Sequence, residues 1–584
     1  MNILGISYSM HESAACLVQD GKLVFACAEE RLSRRKQDAS FPVLAIQAAL
    51  KHAGLKMQDI DHVAVGWPRP AETYAHNLKL LLTGKWANSP MRWERLLIGF
   101  AQNQRHRGGE LDFIRAFGQP KHKIHFVNHH LAHALSAYCL SGFDDAAVLV
   151  IDGRGSREAT TLWHACGEGR GEKGEGRADG RELRLLEQYD YPNSVGVFYA
   201  GITDMLGFTP LSDEWKVMGL AAYGKPTFDL KPLIRCTEDT YWVDGRRFFG
   251  RTDVDRSGLE PVVGPRRNGD EIGERHHNLA RSAQDACEQA MLALLRRVTK
   301  LTGSRNLCLA GGVALNCKAN GELLRSGLID RIYVQPAAGD DGVCIGAAYA
   351  VYPELGLPLP RHAIGHSYLG LESKNEEIEQ VLKVYKLPYR RVENASRAAA
   401  ELLAKNHLVG WFQGRMEFGP RALGGRSILS DPRFAENRDR VNEAVKFREG
   451  WRPFAPSVLR EKAGRYFSGC TDSPYMILSY WADKARAADI PAVVHVDGSC
   501  RVQTVERATN PRYYALIEEF EKITGVPVVM NTSFNLKGDP IVCAPKDAVQ
   551  TFYTSGLDDL VIGDFVVSKQ GFNHDNSGCQ PPGR

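Results

Sequence analysis

Short apolar runs separated by polar turns open the chain. The runs Asn2–Ser7, Ala14–Gln19 and Lys22–Ala28 have the length of strands, and Asp20-Gly21 stands between the second and the third. Apolar runs joined by an Asp-Gly pair predict β-hairpins. Further runs at 61–66 and 124–127 predict two more strands, and the runs at 146–151 and 160–165 predict a second hairpin.

Helical patterns alternate with strand-like runs over the rest of the chain. Helices are predicted at 42–53 and 276–302, and strands at Asn306–Ala310 and 332–335, each strand running into a glycine-bearing turn and a helix. After a Pro/Gly-rich stretch at 353–361 the pattern restarts with helices at 373–385 and 395–406 and strands at 408–413 and 526–530. This alternation predicts an α/β protein. We expect domains at 1–355 and 362–572 and a disordered tail at 573–584.

Composition narrows the class of protein further. The chain has 584 residues, 43% hydrophobic and 24% charged, with a net charge of +4, as in multidomain globular proteins without a nucleic-acid-binding charge bias. It has no run of 18 apolar residues, which argues against a membrane span, and its first residues do not resemble a signal peptide. Thirteen cysteines without a C-x-x-C pair favour a reducing cytoplasm.

Two histidines and two aspartates form the strongest chemical signal. His129 and His133 are four residues apart, so both imidazoles project from one face of a helix. Asp152 ends the apolar run that follows, and Asp340 stands in a turn after another strand. Two imidazoles and two carboxylates could hold a divalent metal. Asp341 is an equally spaced alternative to Asp340, and hydrogen-bonded core histidines are the alternative to a metal site.

Three glycine-bearing turns predict a nucleotide cleft. They are the segment 5–14, the pair Asp152-Gly153, and Gly311-Gly312 before a helix. Small residues let backbone N–H groups approach an anion, and a helix N-terminus favours phosphate. Any one of them could be ordinary turn chemistry. Together they suit the cleft of the actin/sugar-kinase/Hsp70 architecture.

The last third of the chain concentrates cations. Within forty residues it carries Arg415, Arg421, Arg426, Lys446, Arg448 and Arg452. A charge run usually marks a solvated face, but these residues are interrupted by Gly and Pro, which suits the binding of phosphates at turns. Arg501 and the polar strand end 531–535 could add further contacts.

Seven motifs in order carry a family resemblance over the chain from Ile3 to about Lys569. The chain resembles the O-carbamoyltransferases of the NodU/TobZ/CmcH family. The motifs are Gly-Ile-Ser-x-x-x-His-x-Ser-Ala (5–14), Glu-Glu-Arg-Leu-Ser-Arg-Arg-Lys (29–36), His-His-Leu-Ala-His-Ala (129–134), Glu-Trp-Lys-Val-Met-Gly-Leu-Ala-Ala-Tyr-Gly (214–224), Gly-Gly-Val-Ala-Leu-Asn (311–316), Gly-Arg-Met-Glu-Phe-Gly-Pro-Arg-Ala-Leu-Gly (414–424) and Asn-Thr-Ser-Phe-Asn-Leu-Lys-Gly (531–538).

The resemblance implies a two-domain enzyme. Its fold would be a duplicated actin/Hsp70/sugar-kinase-like (ASKHA) domain, followed by a YrdC-like α/β domain. The second domain would convert carbamoyl phosphate and ATP, with Mg(II), into carbamoyl-AMP and pyrophosphate. The first would hold Fe(II) or another divalent metal and transfer the carbamoyl group to a hydroxyl of a small molecule such as an antibiotic or a sugar.

The resemblance also implies roles for individual residues. The metal ligands would be His129, His133, Asp152 and Asp340. The carbamoyl adenylate would be bound by Lys446 and Arg448 of a Lys-x-Arg motif and Ser533 and Asn535 of a Ser-x-Asn motif, helped by Arg415, Arg421, Arg452 and Arg501. The nucleotide cleft would use Gly153, Gly311, Gly312 and Asn316, and the acceptor site Lys36 and Lys216. His11 is our candidate for the base that activates the acceptor hydroxyl, and its neighbour Glu12 departs from the Asp of many relatives.

Other functions remain as alternatives at this stage. The same folds could transfer threonylcarbamoyl to tRNA, or act as a sugar-kinase-like phosphotransferase, and a nonenzymatic binding protein is a weaker alternative. A hydrogenase-maturation carbamoyltransferase would need an acylphosphatase-like domain and paired zinc fingers, which the chain lacks. The acceptor, the roles of 67–120 and 235–275, and the choice between monomer and homodimer stay open.

Overall fold

The computed structural model describes residues 1–8, 12–68, 112–167, 182–248, 256–269 and 271–569. The candidate base His11 and the predicted tail at 573–584 lie outside these ranges. The chain divides into two compact units. The first contains Met1–Ser33 and Gln37–Ile364, and the second contains Arg34–Lys36 and Gly365–Arg584.

The first unit contains twelve strands and nine α-helices among its described residues. The strands are β1 (Asn2–Ser7), β2 (Ala14–Gln19), β3 (Lys22–Ala28), β4 (His62–Val65), β5 (His125–Phe126), β6 (Asp145–Ile151), β7 (Glu158–Cys166), β8 (Leu183–Asp190), β9 (Ile234–Cys236), β10 (Tyr241–Val243), β11 (Asn306–Ala310) and β12 (Arg331–Val334). The helices are α1 (Glu29–Ser33), α2 (Val43–Ala53), α3 (His129–Ser141), α4 (Val195–Met205), α5 (Glu214–Leu220), α6 (Arg256–Val263), α7 (Glu274–Thr302), α8 (Cys317–Arg325) and α9 (Val343–Glu354).

Two five-stranded sheets of the first unit repeat one topology. The first has the order β3-β2-β1-β4-β5 and the second the order β8-β7-β6-β11-β12. In both, the first three strands along the chain pair antiparallel and the last two are added in parallel. Helices α3 and α9 follow the fifth strand of each sheet. This internal repeat confirms the predicted duplicated ASKHA fold.

Helices α3 and α9 cross at backbone contact distance. A Cβ atom on Gly346 of α9 would lie 1.6 Å from the carbonyl oxygen of Ala132 in α3. Similarly, a Cβ on Gly5 of β1 would lie 2.0 Å from the carbonyl oxygen of Cys344. Both crossings therefore require glycine, because any side chain would push the backbones apart. They bring the beginning of α3 close to the beginning of α9.

The second unit is built on one eight-stranded mixed sheet. Its strands are β13 (Arg390–Arg391), β14 (Val409–Phe412), β15 (Arg426–Ser430), β16 (Ala455–Leu459), β17 (Ser479–Trp481), β18 (Ser499–Arg501), β19 (Gln503–Val505), β20 (Val528–Ser533), β21 (Asp559–Ile562) and β22 (Phe565–Ser568). Its helices are α10 (Asn375–Val384), α11 (Ala395–Ala404), α12 (Asn437–Val441), α13 (Ala463–Tyr466), α14 (Pro511–Thr524) and α15 (Pro545–Tyr553). The sheet has the order β13-β22-β21-β14-β15-β20-β16-β19, and β17 and β18 form a separate pair.

The core of the second unit lies between this sheet and the helices α11 and α14. Trp411 of β14 is fully buried there with Phe520 of α14 and Leu403 of α11. The indole N–H of Trp411 donates to the carbonyl oxygen of Gly424 at 2.8 Å, so the polar atom of this large side chain is satisfied. The α/β class predicted for this part of the chain is confirmed.

The predicted strands of the first hairpins match the observed ones, but three strands of the first unit were missed. In the second unit only β14 and β20 were predicted. Strand β8, Leu183–Asp190, is mostly half-exposed at a sheet edge, and its apolar and polar residues do not alternate regularly, so its sequence lacks the pattern of a half-buried strand. The pair β9 and β10 has three residues per strand, too short for any periodicity. No helix in the described part of the chain is long and apolar enough to span a membrane.

We expect Gly346→Ala to destabilise the first unit by about 2 kcal/mol or more, because the added methyl group must displace the α3 backbone. The thermal unfolding midpoint and the free energy of unfolding in urea measure this. Gly464→Ala is a suitable control, since its Cβ would lie at an ordinary 3.6 Å from Cys470. Equal stability of the two variants would contradict the close crossing.

Candidate functional site

Four buried side chains of the first unit converge as a candidate metal centre. His129 and His133 lie at the start of α3, Asp152 follows β6, and Asp340 begins the short turn Asp340–Gly342 before α9. The Nε2 atom of His129 is 3.5 Å from Asp152 Oδ2 and 3.4 Å from Asp340 Oδ1. The corresponding distances from His133 Nε2 are 3.9 and 3.8 Å. One ligand atom from each residue lies within 4.8 Å of all the others.

The histidine rings are oriented for an ion. His129 Nδ1 is 3.1 Å from the carbonyl oxygen of Gly66, a contact that places a proton on Nδ1 and leaves Nε2, which faces the carboxylates, as the atom that could bind an ion. The ring also stacks on Trp67 at 3.9 Å between centroids. Neither ring nitrogen of His133 has a hydrogen-bond partner among the described residues, although the side chain is fully buried. Such unpartnered buried nitrogens beside carboxylates fit a metal-binding role.

The structure separates the two adjacent aspartates that the sequence left as alternatives. Asp340 contributes an oxygen to the group, whereas Asp341 Oδ1 accepts from the backbone N–H of Gly342 at 3.0 Å. Burial and the nearby carboxylate of Glu12 raise the pKa of Asp341 well above its ordinary value. Asp340 is therefore the residue placed to bind an ion, and Asp341 belongs to a different acidic environment.

The group needs a positive charge at its centre. Burial opposes protonation of His129, but Asp340 and Asp152 raise the pKa of this histidine to about 10. Burial by itself would raise the pKa of the Asp152 carboxyl. The hydrogen bond and the charge of His129 outweigh it and lower this pKa to about 2. Two buried carboxylates thus draw a proton onto an imidazole when nothing else compensates them. A divalent cation supplies that compensation in the same place.

The predicted nucleotide turns adjoin this group. Gly311 has φ +90°, and the N–H of Gly312 donates to Asp152 Oδ1 at 3.0 Å. A 3-10 turn, Gly312–Leu315, stands between this strand end and α8, which agrees with the predicted glycine-bearing turn followed by a helix. Asn316 caps α8 by accepting from Ala319 N–H, and its side chain forms a reciprocal amide pair with Gln284 at 3.0 Å.

The other predicted residues of the first half of the chain are less closely tied to the metal group. Gly153 packs against the first turn of α4, where the Ser194 hydroxyl donates to its carbonyl oxygen at 2.8 Å. Lys216 in α5 pairs with Asp213 at 2.8 Å and lies over the ring of Phe208. Lys36 is exposed and groups with the second unit. Their binding roles stay predictions.

Lys446, Ser533 and Asn535 meet in the second unit. Lys446 ends a short π-helix, Asn442–Lys446, and is 5% exposed. Its ammonium donates to the Ser533 carbonyl at 2.5 Å, to the Asn535 carbonyl at 3.0 Å and to the Asn535 side-chain oxygen at 2.8 Å. The Ser533 hydroxyl donates to the same amide oxygen at 2.6 Å. The two motifs, 87 residues apart, thus form one buried polar cluster.

Cations crowd around this cluster. Burial, followed by the charges of Arg448 and Arg452, lowers the pKa of Lys446 well below its ordinary value. Burial and the charges of Arg452 and Arg501 act on Arg448 in the same direction, lowering its pKa. The guanidinium of Arg448 lies 4.6 Å from the ring centre of Phe454. Like charges held together out of water are unfavourable until an anion joins them, so the cluster is a candidate site for phosphate groups.

Two residues of the segment 414–426, which contains the motif 414–424, have a structural role. Glu417 is buried, and its Oε1 accepts from the backbone N–H groups of Leu423, Gly425 and Arg426 at 2.7, 2.6 and 3.2 Å. Fully buried Arg426 stacks on Phe412 at 3.7 Å and donates to backbone carbonyl oxygens. Glu417 and Arg426 thus fix the shape of this loop.

Two other arginines of the motif have different settings. Arg415 donates to the carbonyl oxygens of Leu369 and Gly370, while Arg421 is half-buried. Their binding role stays a prediction.

Several supporting residues could not be found from sequence. Trp67 and Gly66 hold the ring of His129 from more than sixty positions away, and neither belongs to a motif. Asn442 accepts from the Arg448 side chain at 2.7 Å and was also missed. In the sequence, Asn442 is marked only by standing four residues before Lys446. That spacing becomes informative only once the π-helix Asn442–Lys446 is known.

Comparison with known proteins identifies the family. Residues 2–349 match the family described as "Carbamoyltransferase N-terminus", and residues 400–569 match "Carbamoyltransferase C-terminus". The chain is 39% identical over 572 residues to nodulation protein NolNO of Sinorhizobium fredii, covering 96% of this chain and 79% of that protein. It is 41% identical over 452 residues to nodulation protein NolO of Bradyrhizobium diazoefficiens, covering 76% and 79%. An uncharacterised protein of Synechocystis is 38% identical, with 97% of each chain covered.

The first unit, with its duplicated α/β fold, and the second unit, built on one mixed sheet, therefore belong to a group-transfer enzyme. The chain belongs to the carbamoyltransferase family, and it is a carbamoyltransferase.

We expect His133→Ala and Asp340→Asn each to weaken divalent metal binding at least about tenfold, because each removes one ligand. Anaerobic titration with Fe(II), or with Co(II) followed by its visible absorption, measures the affinity. Asp341→Asn is the matched control, since it alters an equally buried neighbour outside the group. Loss of binding in this control alone would show that the ligand is Asp341.

We expect Glu417→Ala to lower the stability of the second unit by about 3 kcal/mol, because three backbone N–H groups, those of Leu423, Gly425 and Arg426, lose their buried acceptor. Urea unfolding measures the change. Glu401→Ala breaks the exposed pair with Arg397 and should cost less than about 0.5 kcal/mol. Similar costs for both variants would contradict the structural role of Glu417.

Proposed function

We propose that this carbamoyltransferase is ATP-dependent and works through carbamoyl-AMP. In the second unit, carbamoyl phosphate and water give carbamate and inorganic phosphate. A carbamate oxygen then attacks the α-phosphorus of ATP and expels pyrophosphate. In the first unit, the hydroxyl oxygen of a small-molecule acceptor attacks the carbamoyl carbon, AMP leaves, and the hydroxyl proton passes to a base, for which His11 remains the candidate.

The cation cluster carries this proposal. Buried Lys446 and half-buried Arg448, Arg452 and Arg501 lie close enough that, in addition to burial, their charges lower the pKa values of Lys446 and Arg448. One carboxylate, that of Glu449, lies 3.4 Å from Arg452, so the four cations retain an excess of positive charge that a multiply charged anion would compensate. ATP and carbamoyl phosphate are such anions. Arginine forks suit the oxygens of phosphate, and a cation beside the attacked phosphorus stabilises charge that develops there. Lys446, whose three protons now point at oxygens of Ser533 and Asn535, would exchange some of these contacts for the ligand.

The metal group supports the second half of the reaction. His129, His133, Asp152 and Asp340 would hold Fe(II) or a similar divalent metal, and such an ion would orient and neutralise phosphate oxygens of the donor. Asp152 also binds the Gly312 N–H, so the carboxylate links this group to the predicted nucleotide turn. Gly153, Gly311 and Asn316 would then face the nucleotide, with Mg(II) accompanying ATP.

The acceptor is proposed as a hydroxyl of a small molecule, such as an antibiotic, another natural product or a sugar, with Lys36 and Lys216 nearby. The relatives named nodulation proteins NolNO and NolO carry no acceptor in their names. The cytoplasm is the proposed location, which the free thiols of all twelve described cysteines support.

We expect the two half-reactions to separate by mutation. With ATP and carbamoyl phosphate but no acceptor, Lys446→Ala and Arg448→Ala should reduce pyrophosphate release at least about a hundredfold, because both remove charge stabilisation at the attacked phosphate. His133→Ala should release pyrophosphate at the wild-type rate, since its group lies in the other unit. A coupled pyrophosphate assay measures all three.

Lys462→Ala is the control for loss of a cation elsewhere in the second unit, where Lys462 pairs with Glu521 near the surface. It should behave like the wild type. Formation of ADP in place of AMP and pyrophosphate would favour a kinase-like phosphotransferase and overturn the adenylate scheme.

A further inference from the structure

Phe447 is an exposed aromatic residue whose sequence neighbours, Lys446 and Arg448, are two cations of the candidate anion site. Its side chain is 52% exposed, while Lys446 before it is 5% exposed and Arg448 after it is half-buried. The backbone of Phe447 is left-handed, with φ 46° and ψ 52°. Bulky L-residues rarely adopt this conformation, because Cβ approaches the following carbonyl oxygen.

The surrounding turn imposes this conformation. The buried carbonyl of Asn442 accepts from the N–H groups of both Phe447 and Arg448, the second at 3.1 Å. The Asn442 side chain accepts from Arg448 Nε at 2.7 Å and donates to the carbonyl oxygens of Gly450 and Arg452 at 3.4 Å. Strained residues persist where neighbours determine them in this way, and they concentrate at sites that hold ligands.

Folding gives no reason for an aromatic ring at this position. Glycine or asparagine would adopt the same backbone at lower cost, and half of the ring surface of Phe447 gains nothing from burial. Phe454, in contrast to Phe447, is only 3% exposed, and its ring packs against the Arg448 guanidinium. The ring of Phe447 is therefore suited to a partner that arrives from solvent at the cation cluster.

We propose that Phe447 is a ligand-contacting residue whose ring stacks on the purine base of the nucleotide, while Lys446 and Arg448 bind its phosphates. This inference rests on the proposed use of ATP in the second unit. An aromatic face and a base stack with substantial energy and without hydrogen-bond specificity, and the adjacent cations hold the phosphates of the same molecule. The strained backbone would keep the ring in place before the nucleotide binds.

The test compares ATP with inorganic triphosphate, which carries similar phosphate charge without a base. For the full-length protein, the binding phase abolished by Lys446→Ala defines the site. Phe447→Ala and Phe447→Gly should weaken ATP binding in this phase about tenfold or more and leave triphosphate binding within about twofold. Phe447→Tyr should retain ATP affinity. The KM for ATP in pyrophosphate release should rise in parallel for the first two variants.

Lys386→Gly is the matched control, because Lys386 is also an exposed residue with a left-handed backbone, at φ 52°. Both glycine variants should keep the unfolding temperature of the wild type or raise it, and Lys386→Gly should leave ATP affinity unchanged. Unchanged ATP affinity in Phe447→Ala, or equal losses for ATP and triphosphate, would overturn the stacking role. Absence of pyrophosphate release in the wild type would sink the proposed function, while the binding comparison would still decide the role of Phe447.

Discussion

The burial of two carboxylates where the two repeats of the first unit meet is the constraint on which this unit depends. Asp152 and Asp340 each come from the second repeat, and the imidazoles facing them come from the last helix of the first repeat. They can approach only because α3 and α9 touch at Gly346. Uncompensated carboxylates at this depth would be costly, so an imidazolium or a metal ion must complete the packing. The same charge compensation is therefore required both for the chemistry of the site and for the stability of the fold.

The second unit has the opposite charge balance, with cations clustered in place of carboxylates. It gathers Lys446, Arg448, Arg452 and Arg501 in a buried setting where their charges disfavour one another. Backbone and amide oxygens satisfy the ammonium of Lys446, and the ring of Phe454 supports one guanidinium. Glu449, 3.4 Å from Arg452, is a charged partner and compensates part of the positive charge. The excess of cations leaves a positive potential available to a phosphate ligand.

Sequence reasoning reached the parts of the molecule that follow local rules. The strands of the first hairpins and the helical pairing of His129 with His133 could be predicted, because periodicity and i,i+4 spacing determine them. The separation of Asp340 from Asp341 could not, because both lie in one turn and only the tertiary position of α9 distinguishes them. Equally, nothing local reveals that the Arg426 side chain binds backbone carbonyl oxygens of its own loop, whereas the Lys446 side chain reaches a distant strand end.

The opposite charges of the two sites argue for a division of labour. A pocket rich in buried carboxylates repels ATP and carbamoyl phosphate unless a cation is bound there, whereas a pocket lined by a buried lysine and half-buried arginines would hold a phosphorylated product tightly. Activation at phosphorus benefits from the second environment. Under the proposed scheme, attack by a neutral hydroxyl benefits from the first, where a base would take the proton of the acceptor and an ion would neutralise the phosphate of the donor. A single pocket could not provide both potentials at once, and two units in one chain remove this conflict.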